Sequence, residues 1–162
     1  MAACYLFVLL ASAQSNSKEC EQLVASDKQL AANIKMYTET WDKIFNKGEI
    51  DQINPDNFDA NVVWRRQKDE KVGGTGIEAF KAHFNYYLIT FSDIKFTFID
   101  VFGSGDKLVK HWNFKGIHRE TGRTMDLSGV TLVKMKDGKI IEEQDFDDNY
   151  WYKQQLGQIP MK

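Results

Sequence analysis

The apolar residues in the first third of the chain follow a helical spacing. Residues 18–47 contain neither proline nor glycine, and their apolar side chains recur at steps of three, four or seven positions. This spacing predicts one long amphipathic helix that ends at Gly48. Its apolar positions are Leu23, Leu30, Ile34, Tyr37, Trp41, Ile44 and Phe45.

A second helix is predicted over residues 76–91. Thr75 precedes it and Glu78 follows three residues later, which is the spacing of a capping box. The apolar face of this helix comprises Ile77, Phe80, Phe84, Tyr87, Leu88 and Phe91.

The segment between the two helices lacks a long periodic pattern. Residues 49–58 surround Pro55 and are typical of a short helical turn followed by a loop. Residues 59–66 are rich in β-branched and aromatic side chains, which favours a short strand, and residues 69–76 contain three glycines, which favours a flexible loop.

After Ser92 the apolar residues alternate with polar ones at a period of two. This pattern predicts four strands, separated by short glycine-containing segments that are typical of hairpin turns. The strands are expected at residues 94–102, 107–120, 123–136 and 139–152. Helices followed by a long meander of strands predict an α+β fold, in which the helices cover one face of a curved, mainly antiparallel sheet.

The composition fits one globular domain without an obvious polyanionic partner. The chain has 162 residues, of which 43% are hydrophobic, and this is enough for a single substantial core. The net charge is -2 and the basic residues are scattered, so neither nucleic acid nor an anionic membrane surface is an expected partner.

The N-terminus has features of a secretory signal peptide. An apolar run at residues 5–11 leads into the small-residue sequence ASA, after which cleavage is expected. We therefore predict a signal peptide at residues 1–13, a single domain at 14–162, and a secreted or periplasmic location. Because the start lacks Lys and Arg, a truncated start or an apolar arm is an alternative. The run is too short for a transmembrane helix, and cleavage would remove Cys4 and leave Cys20 without an internal partner.

Five carboxylates stand immediately before a cluster of aromatic residues at the end of the last predicted strand. They are Glu142, Glu143, Asp145, Asp147 and Asp148, and they precede Tyr150, Trp151 and Tyr152. Strict alternation places Asp148 on one face with Gln144, Phe146 and Tyr150. We therefore expect Glu143, Asp145 and Asp147 to form a solvated face, while Asp148 points inward beside aromatic rings that would raise its pKa.

Four stretches of the sequence, taken in order, resemble one protein family. They are "MYTETWDKIFNKGEID", "VGGTGIEAFKAHF", "DKLVKHWNFKGIHRETGR" and "LSGVTLVKMKDGKIIEEQDFDDNYWYKQQLG". Together they resemble the SnoaL-like polyketide cyclases of the nuclear-transport-factor-2-like superfamily over residues 34–157. The resemblance implies a cone-shaped fold whose core contains an apolar pocket.

The resemblance also implies a chemistry and a site. The family's acid/base aspartate falls on Asp148, and His118 matches a strand histidine that would assist it. Such cyclases need no metal or cofactor, and their aspartate removes a proton beside a carbonyl so that the enolate closes a ring. This chain departs from the family at Glu143 and Gln144, where relatives have His-Trp, and at Trp64, where they have His.

The pocket is expected to hold a small, flat, hydrophobic carbonyl compound. Tyr37 and Tyr87 are candidates to donate a hydrogen bond to its developing enolate. The expected ligand contacts are Tyr37, Trp41, Phe84, Tyr87, Trp112, Phe114, Gln144 and Phe146. With three unclustered histidines, no metal site is expected. The resemblance also implies a homodimer through the outer face of the sheet.

Three functions remain open at the level of sequence. One is cofactor-free isomerisation, aldol cyclisation or dehydration, catalysed by Asp148. Another is a non-catalytic, exported binding module for a small hydrophobic ligand, which the missing imidazoles favour. A third is epoxide hydrolysis, which needs an Asp-Arg-Asp arrangement around a water molecule, although no arginine is singled out by its spacing. Fold membership alone does not choose among them.

Overall fold

A computed structural model describes residues 3–66 and 71–161 of the chain. These residues form three α-helices and one short 3-10 helix. The helices are α1 (Ala3–Lys47), α2 (Ile77–Thr90) and α3 (Asn149–Gln155), and the 3-10 turn is Ile50–Gln52.

Within the described ranges, six strands form a single mixed sheet. They are β1 (Phe58–Arg65), β2 (Lys71–Thr75), β3 (Phe91–Ser104), β4 (Lys107–His118), β5 (Thr124–Lys136) and β6 (Lys139–Asp147). The order across the sheet is β2-β1-β6-β5-β4-β3, and within it β1 and β6 run parallel while the other neighbours are antiparallel. The predicted α+β cone with a curved, mainly antiparallel sheet is confirmed.

The helices pack on the sheet around a core rich in aromatic residues. Helix α1 contacts β3, α2 contacts β1 and β2, and α3 contacts β5. Trp41 of α1 is fully buried and lies against the rings of Phe45 and Phe84, at centroid distances of 5.5 and 4.6 Å. Buried and exposed residues alternate along β5, which confirms the predicted period of two and the single packed face of this strand.

The predicted turn residues adopt the expected backbone angles. Gly48 follows α1 with a φ of 72°, which is the left-handed conformation that ends many helices. Asp137 and Gly138 have φ angles of 51° and 74°, and they form the tight turn between β5 and β6. Glycine-containing turns therefore fix the register of the long hairpins, as the sequence indicates.

Two local predictions at the start of the helices are wrong. Helix α1 begins at Ala3 rather than near Lys18, because the apolar N-terminal run continues the helical conformation. Helix α2 has no Thr75 cap, since its N-cap residue is Gly76, with a φ of 94° and no side-chain cap bond. Because the chain turns at Gly76, Thr75 is the last residue of β2 and not a cap of α2.

Two other segments differ in secondary structure from the prediction. Lys71–Thr75, predicted as part of a loop, is strand β2, because its backbone pairs with β1; residues 69 and 70 of that predicted loop lie outside the described part of the chain. The aromatic residues Tyr150 to Tyr152, predicted as the end of a strand, belong to α3.

No helix in the described residues is long and apolar enough to cross a membrane. Cleavage after Ala13 stays a prediction.

Candidate functional site

A cavity lies between the helices and the inner face of the sheet. Its volume is about 50 Å³, which is several times the space that one water molecule needs. Most of the wall is aromatic, and Met125, Leu127 and four charged side chains form the rest of it. The aromatic residues are Phe45, Trp64, Phe84, Tyr87, Phe96, Trp112, Phe114 and Tyr152, and the charged ones are Arg66, Lys110, Asp145 and Asp147.

The inner face of β6 carries acids rather than apolar residues, which reverses the predicted orientation. Glu143 is fully buried, and Asp145 and Asp147 line the cavity. The predicted solvated face is therefore wrong. The physical reason is that β6 lies between β1 and β5 in the middle of the sheet, where side chains of other elements donate hydrogen bonds to the acids.

Asp145 is held on the cavity wall by two neutral donors. Its Oδ2 accepts a hydrogen bond from the Trp64 indole N–H at 2.6 Å, and its Oδ1 accepts one from the Thr131 hydroxyl at 2.5 Å. The Thr131 oxygen accepts in turn from the Trp112 indole N–H at 2.9 Å. The carboxylate is thus fixed in position, while each of its oxygens keeps a further lone pair that could accept a proton from a ligand.

Asp147 lies at the more exposed side of the same wall. The Arg66 guanidinium donates to its Oδ2 at 3.3 Å, and the side chains of Arg66 and Asp147 are 33% and 7% exposed. Burial raises the pKa of Asp147, and the positive charge of Arg66 opposes that shift. The exposure of Arg66 marks this side as the mouth of the cavity.

Glu143 lies in a polar cluster with residues of α1. Its Oε1 accepts hydrogen bonds from the Tyr37 hydroxyl at 2.5 Å and the Trp41 indole N–H at 2.9 Å. Its Oε2 is buried and has no hydrogen-bond partner among the described residues. Burial raises the pKa of Glu143 to about 7, and the nearby Lys110 ammonium opposes this rise. Glu143 therefore changes charge near neutral pH.

His83 of α2 is an uncharged neighbour of the Asp145 site. Its ring stacks on Trp64 at a centroid distance of 3.6 Å, and its Nε2 is buried without a partner among the described residues. Burial lowers the pKa of His83 to about 4, so the ring is neutral at pH 7.

The predicted ligand contacts fall into three groups. Phe84, Tyr87, Trp112 and Phe114 line the cavity. Tyr37 and Trp41 are fully buried and bond Glu143 instead. Gln144 and Phe146 lie on the opposite face of β6 from the acids that line the cavity, and the Gln144 amide donates to the Arg66 carbonyl at 3.4 Å. Phe146 contributes to an open depression on that outer side.

Both predicted catalytic residues lie outside the cavity wall. Asp148 is exposed and is the N-cap residue of α3, where its Oδ1 accepts from the Trp151 backbone N–H at 2.9 Å. Its predicted inward orientation is therefore wrong. His118 lies at the end of β4, with its Nδ1 2.9 Å from the Thr121 hydroxyl. The structure does not bring these two residues together at the cavity.

The charged residues of the cavity are not among the site residues that the sequence predicts. The alternation predicts that Glu143, Asp145 and Asp147 share one face of β6, but it does not indicate which face is turned inward. Within the ranges that the structure describes, no group of three His, Cys, Asp or Glu residues could hold a metal ion.

Gly129 makes room for the indole that orients Thr131. A Cβ at this position would lie 2.4 Å from Trp112 Cζ2 and 2.9 Å from the Phe146 carbonyl oxygen. Gly129→Ala is therefore expected to lower the free energy of unfolding by about 1–3 kcal/mol, because the hydrogen-bonded indole must move. Urea unfolding would measure this. Ser128→Ala, at the exposed neighbouring position, should change the free energy by less than about 0.5 kcal/mol, and equal losses in both variants would contradict the explanation.

The fold, with its aromatic cavity between the helices and the sheet, defines a protein of the cone-shaped α+β type. The model of the SnoaL-like polyketide cyclase family matches residues 33–156, and the chain belongs to that family. No curated protein matches the chain significantly.

Several solved structures share the fold. TsrD from Streptomyces laurentii has a TM-score of 0.69 and 21% identity, with 79% of this chain and 97% of TsrD covered. A candidate SnoaL-like polyketide cyclase from Jannaschia sp. CCS1 has a TM-score of 0.67 and 20% identity, with 82% and 96% covered. A candidate polyketide cyclase from Bacillus cereus has a TM-score of 0.68 and 24% identity, with 83% and 87% covered. At these identities the likeness shows the fold alone.

Proposed function

We propose that the cavity takes up a small, flat carbonyl compound and that Asp145 removes a proton beside the carbonyl without a cofactor. The observation that carries the proposal is the position of Asp145, which lines an aromatic cavity while Trp64 and Thr131 hold both of its oxygens. A fixed carboxylate in a largely apolar site is suited to general-base catalysis. The cavity of about 50 Å³ is smaller than the roughly 150 Å³ that encloses a benzene molecule, so a one-ring ligand requires displacement of lining side chains.

Tyr87 is the group that we assign to the carbonyl oxygen. It lines the cavity, and no described residue forms a hydrogen bond with its hydroxyl. Burial raises the pKa of the Tyr87 phenol, so the hydroxyl keeps its proton and can donate it in a hydrogen bond. Tyr37, the other sequence-based candidate, already donates to Glu143.

The reaction then follows from the two groups. Asp145 takes the proton from the carbon beside the carbonyl, and Tyr87 stabilises the negative charge that develops on the oxygen. Return of the proton to another carbon gives isomerisation. Attack of the enolate on a second carbonyl, with the proton returned from Asp145 to the new alkoxide, gives aldol closure. A β-hydroxyl that takes this proton and leaves as water gives dehydration.

A test with acetophenone separates catalysis from simple binding. Quenching of tryptophan fluorescence would report binding, because Trp64 and Trp112 line the cavity. Proton NMR in D₂O would report deuterium at the methyl group beside the carbonyl. The proposal expects both binding and protein-dependent exchange.

The other results of that test also have clear meanings. Binding without exchange would support the non-catalytic binding module in place of the enzyme. Absence of binding by acetophenone and by related one-ring ketones would contradict both functions.

We further propose export and self-association, each on a separate feature. The small-residue sequence after the N-terminal apolar run supports cleavage after Ala13. Ile99, Phe102 and Leu132 are exposed apolar residues of β3 and β5, and they support a homodimer through the sheet. N-terminal sequencing of the secreted protein and light scattering would test the two proposals.

A further inference from the structure

Lys110 is a buried cation on the cavity wall. Its side chain belongs to β4, the residue is 3% exposed, and its Nζ lies 4.9 Å from the Trp41 ring centroid. The Tyr37 and Phe96 rings are 5.3 and 5.4 Å away. Aromatic faces stabilise an ammonium, but they do not accept its three hydrogen bonds as oxygen atoms do.

No described residue satisfies these donors directly. Neither a hydrogen bond nor an ion pair joins Lys110 to any residue in the described ranges. The other cation of the cavity, Arg66, differs in this respect because it contacts Asp147. Glu143 lies near enough to interact with the charge of Lys110 but forms no hydrogen bond or ion pair with it, so a ligand anion would supply the direct partner of the ammonium.

We propose that Lys110 is an anion subsite and that the natural ligand of the cavity carries a carboxylate. A carboxylate matches the ammonium because it is ionised at neutral pH and offers two oxygens to three donors. The proposal rests on the proposed function, to which it adds a substrate class: small aromatic or unsaturated keto acids. The carboxylate would bind at the inner end of the cavity, away from the mouth at Arg66.

Glu143 links this subsite to pH. The groups that influence it are Tyr37 of α1, Lys110 of β4 and Asp145 of its own strand. A ligand carboxylate at Lys110 disfavours a second negative charge nearby, so Glu143 takes up a proton when the anion binds. Because the pKa of Glu143 is about 7, affinity for an anion is expected to fall as the pH rises from 6 to 8.

Benzoate and benzamide form a matched pair of probes, since they share one ring and nearly one shape but differ in charge. Calorimetry is expected to show that the wild-type protein binds benzoate about tenfold more tightly than benzamide at pH 6. That preference should shrink at pH 8. Lys110→Met should abolish it, whereas Lys107→Met, at an exposed position of the same strand, should retain it.

Each other outcome has a definite meaning. Equal binding of both probes by the wild-type protein, or a benzoate preference that survives in Lys110→Met, would overturn the subsite and leave the proposed function standing. Failure of both probes to bind would overturn the subsite together with the ligand-binding cavity. Intact benzoate preference without ketone exchange would overturn the catalytic proposal alone. If Lys110→Met does not fold by circular dichroism, Lys110→Gln and the wild-type pH dependence decide the question.

Discussion

Asp145→Asn is expected to slow deuterium exchange of a bound ketone by about 10²–10⁴-fold, the usual contribution of a positioned general base. The amide has nearly the same shape as the carboxylate but does not accept the proton. Its oxygen can still accept from Trp64 or Thr131, the donors that hold Asp145 in place. Ligand affinity should therefore change by less than about threefold, which corresponds to roughly 0.6 kcal/mol.

Asp148→Asn is the matched control for this prediction. Asp148 is exposed and caps α3, and asparagine is as good an N-cap residue as aspartate. The exchange rate of this variant should equal that of the wild-type protein. Loss of exchange in Asp148→Asn, together with normal exchange in Asp145→Asn, would reverse the assignment of the base.

Glu143 and His83 are expected to give opposite pH dependences of stability. The pKa of Glu143 rises from 4.5 to about 7 on folding. Its stabilising contribution to the free energy of unfolding is therefore present below pH 4.5 and is lost as the pH rises to 7. The pKa of His83 falls from 6.5 to about 4, so its contribution is present above pH 6.5 and is lost as the pH falls to 4. Each shift corresponds to about 3 kcal/mol.

Between about pH 4.5 and 6.5, the contribution of Glu143 to the free energy of unfolding falls while that of His83 rises, so the two changes nearly cancel in the wild-type protein. In Glu143→Gln only the His83 contribution remains. The free energy of unfolding of this variant should therefore rise with pH by about 3 kcal/mol relative to the wild-type curve. His83→Phe keeps a ring against Trp64 and leaves the Glu143 contribution, so the stability of that variant should fall by a similar amount.

Urea unfolding at several pH values would measure both effects. Because every other titrating group is common to the three proteins, the difference curves isolate the two residues. Variant curves that run parallel to the wild-type curve would show that neither group is shifted by folding.

Much of the fold follows from local sequence pattern. The apolar steps of three and four residues between Leu30 and Phe45 locate the packed part of α1, and alternation after Ser92 locates the four long strands. The glycine-containing segments mark the hairpin turns correctly, because the backbone conformation of glycine is a local property.

The polarity of the cavity does not follow from local pattern. Alternation along β6 is compatible with either face turned inward, and an acid without hydrogen-bond partners rarely lies in a core. Their burial depends on donors far away in sequence, such as Tyr37, which is 106 residues from its partner Glu143. A pattern within one strand contains no information about such a donor.

The error at the end of β6 has a local cause. The sequence pattern predicts a single strand through the acids and aromatics there, but Asp148, three residues before Trp151, also has the spacing of a helix N-cap bond. In the structure the strand ends at Asp147 and α3 begins at Asn149. This change of direction leaves Asp148 outside and Asp147 on the cavity wall.

A crystal structure of the protein with acetophenone bound would test the central claim most directly. We expect the ligand inside the aromatic cavity, with its methyl carbon about 3.5 Å from an oxygen of Asp145 and its carbonyl oxygen at the Tyr87 hydroxyl. Acetophenone on the outer face beside Asp148 and Tyr150, or in the cavity with its methyl group turned away from Asp145, would contradict the claim.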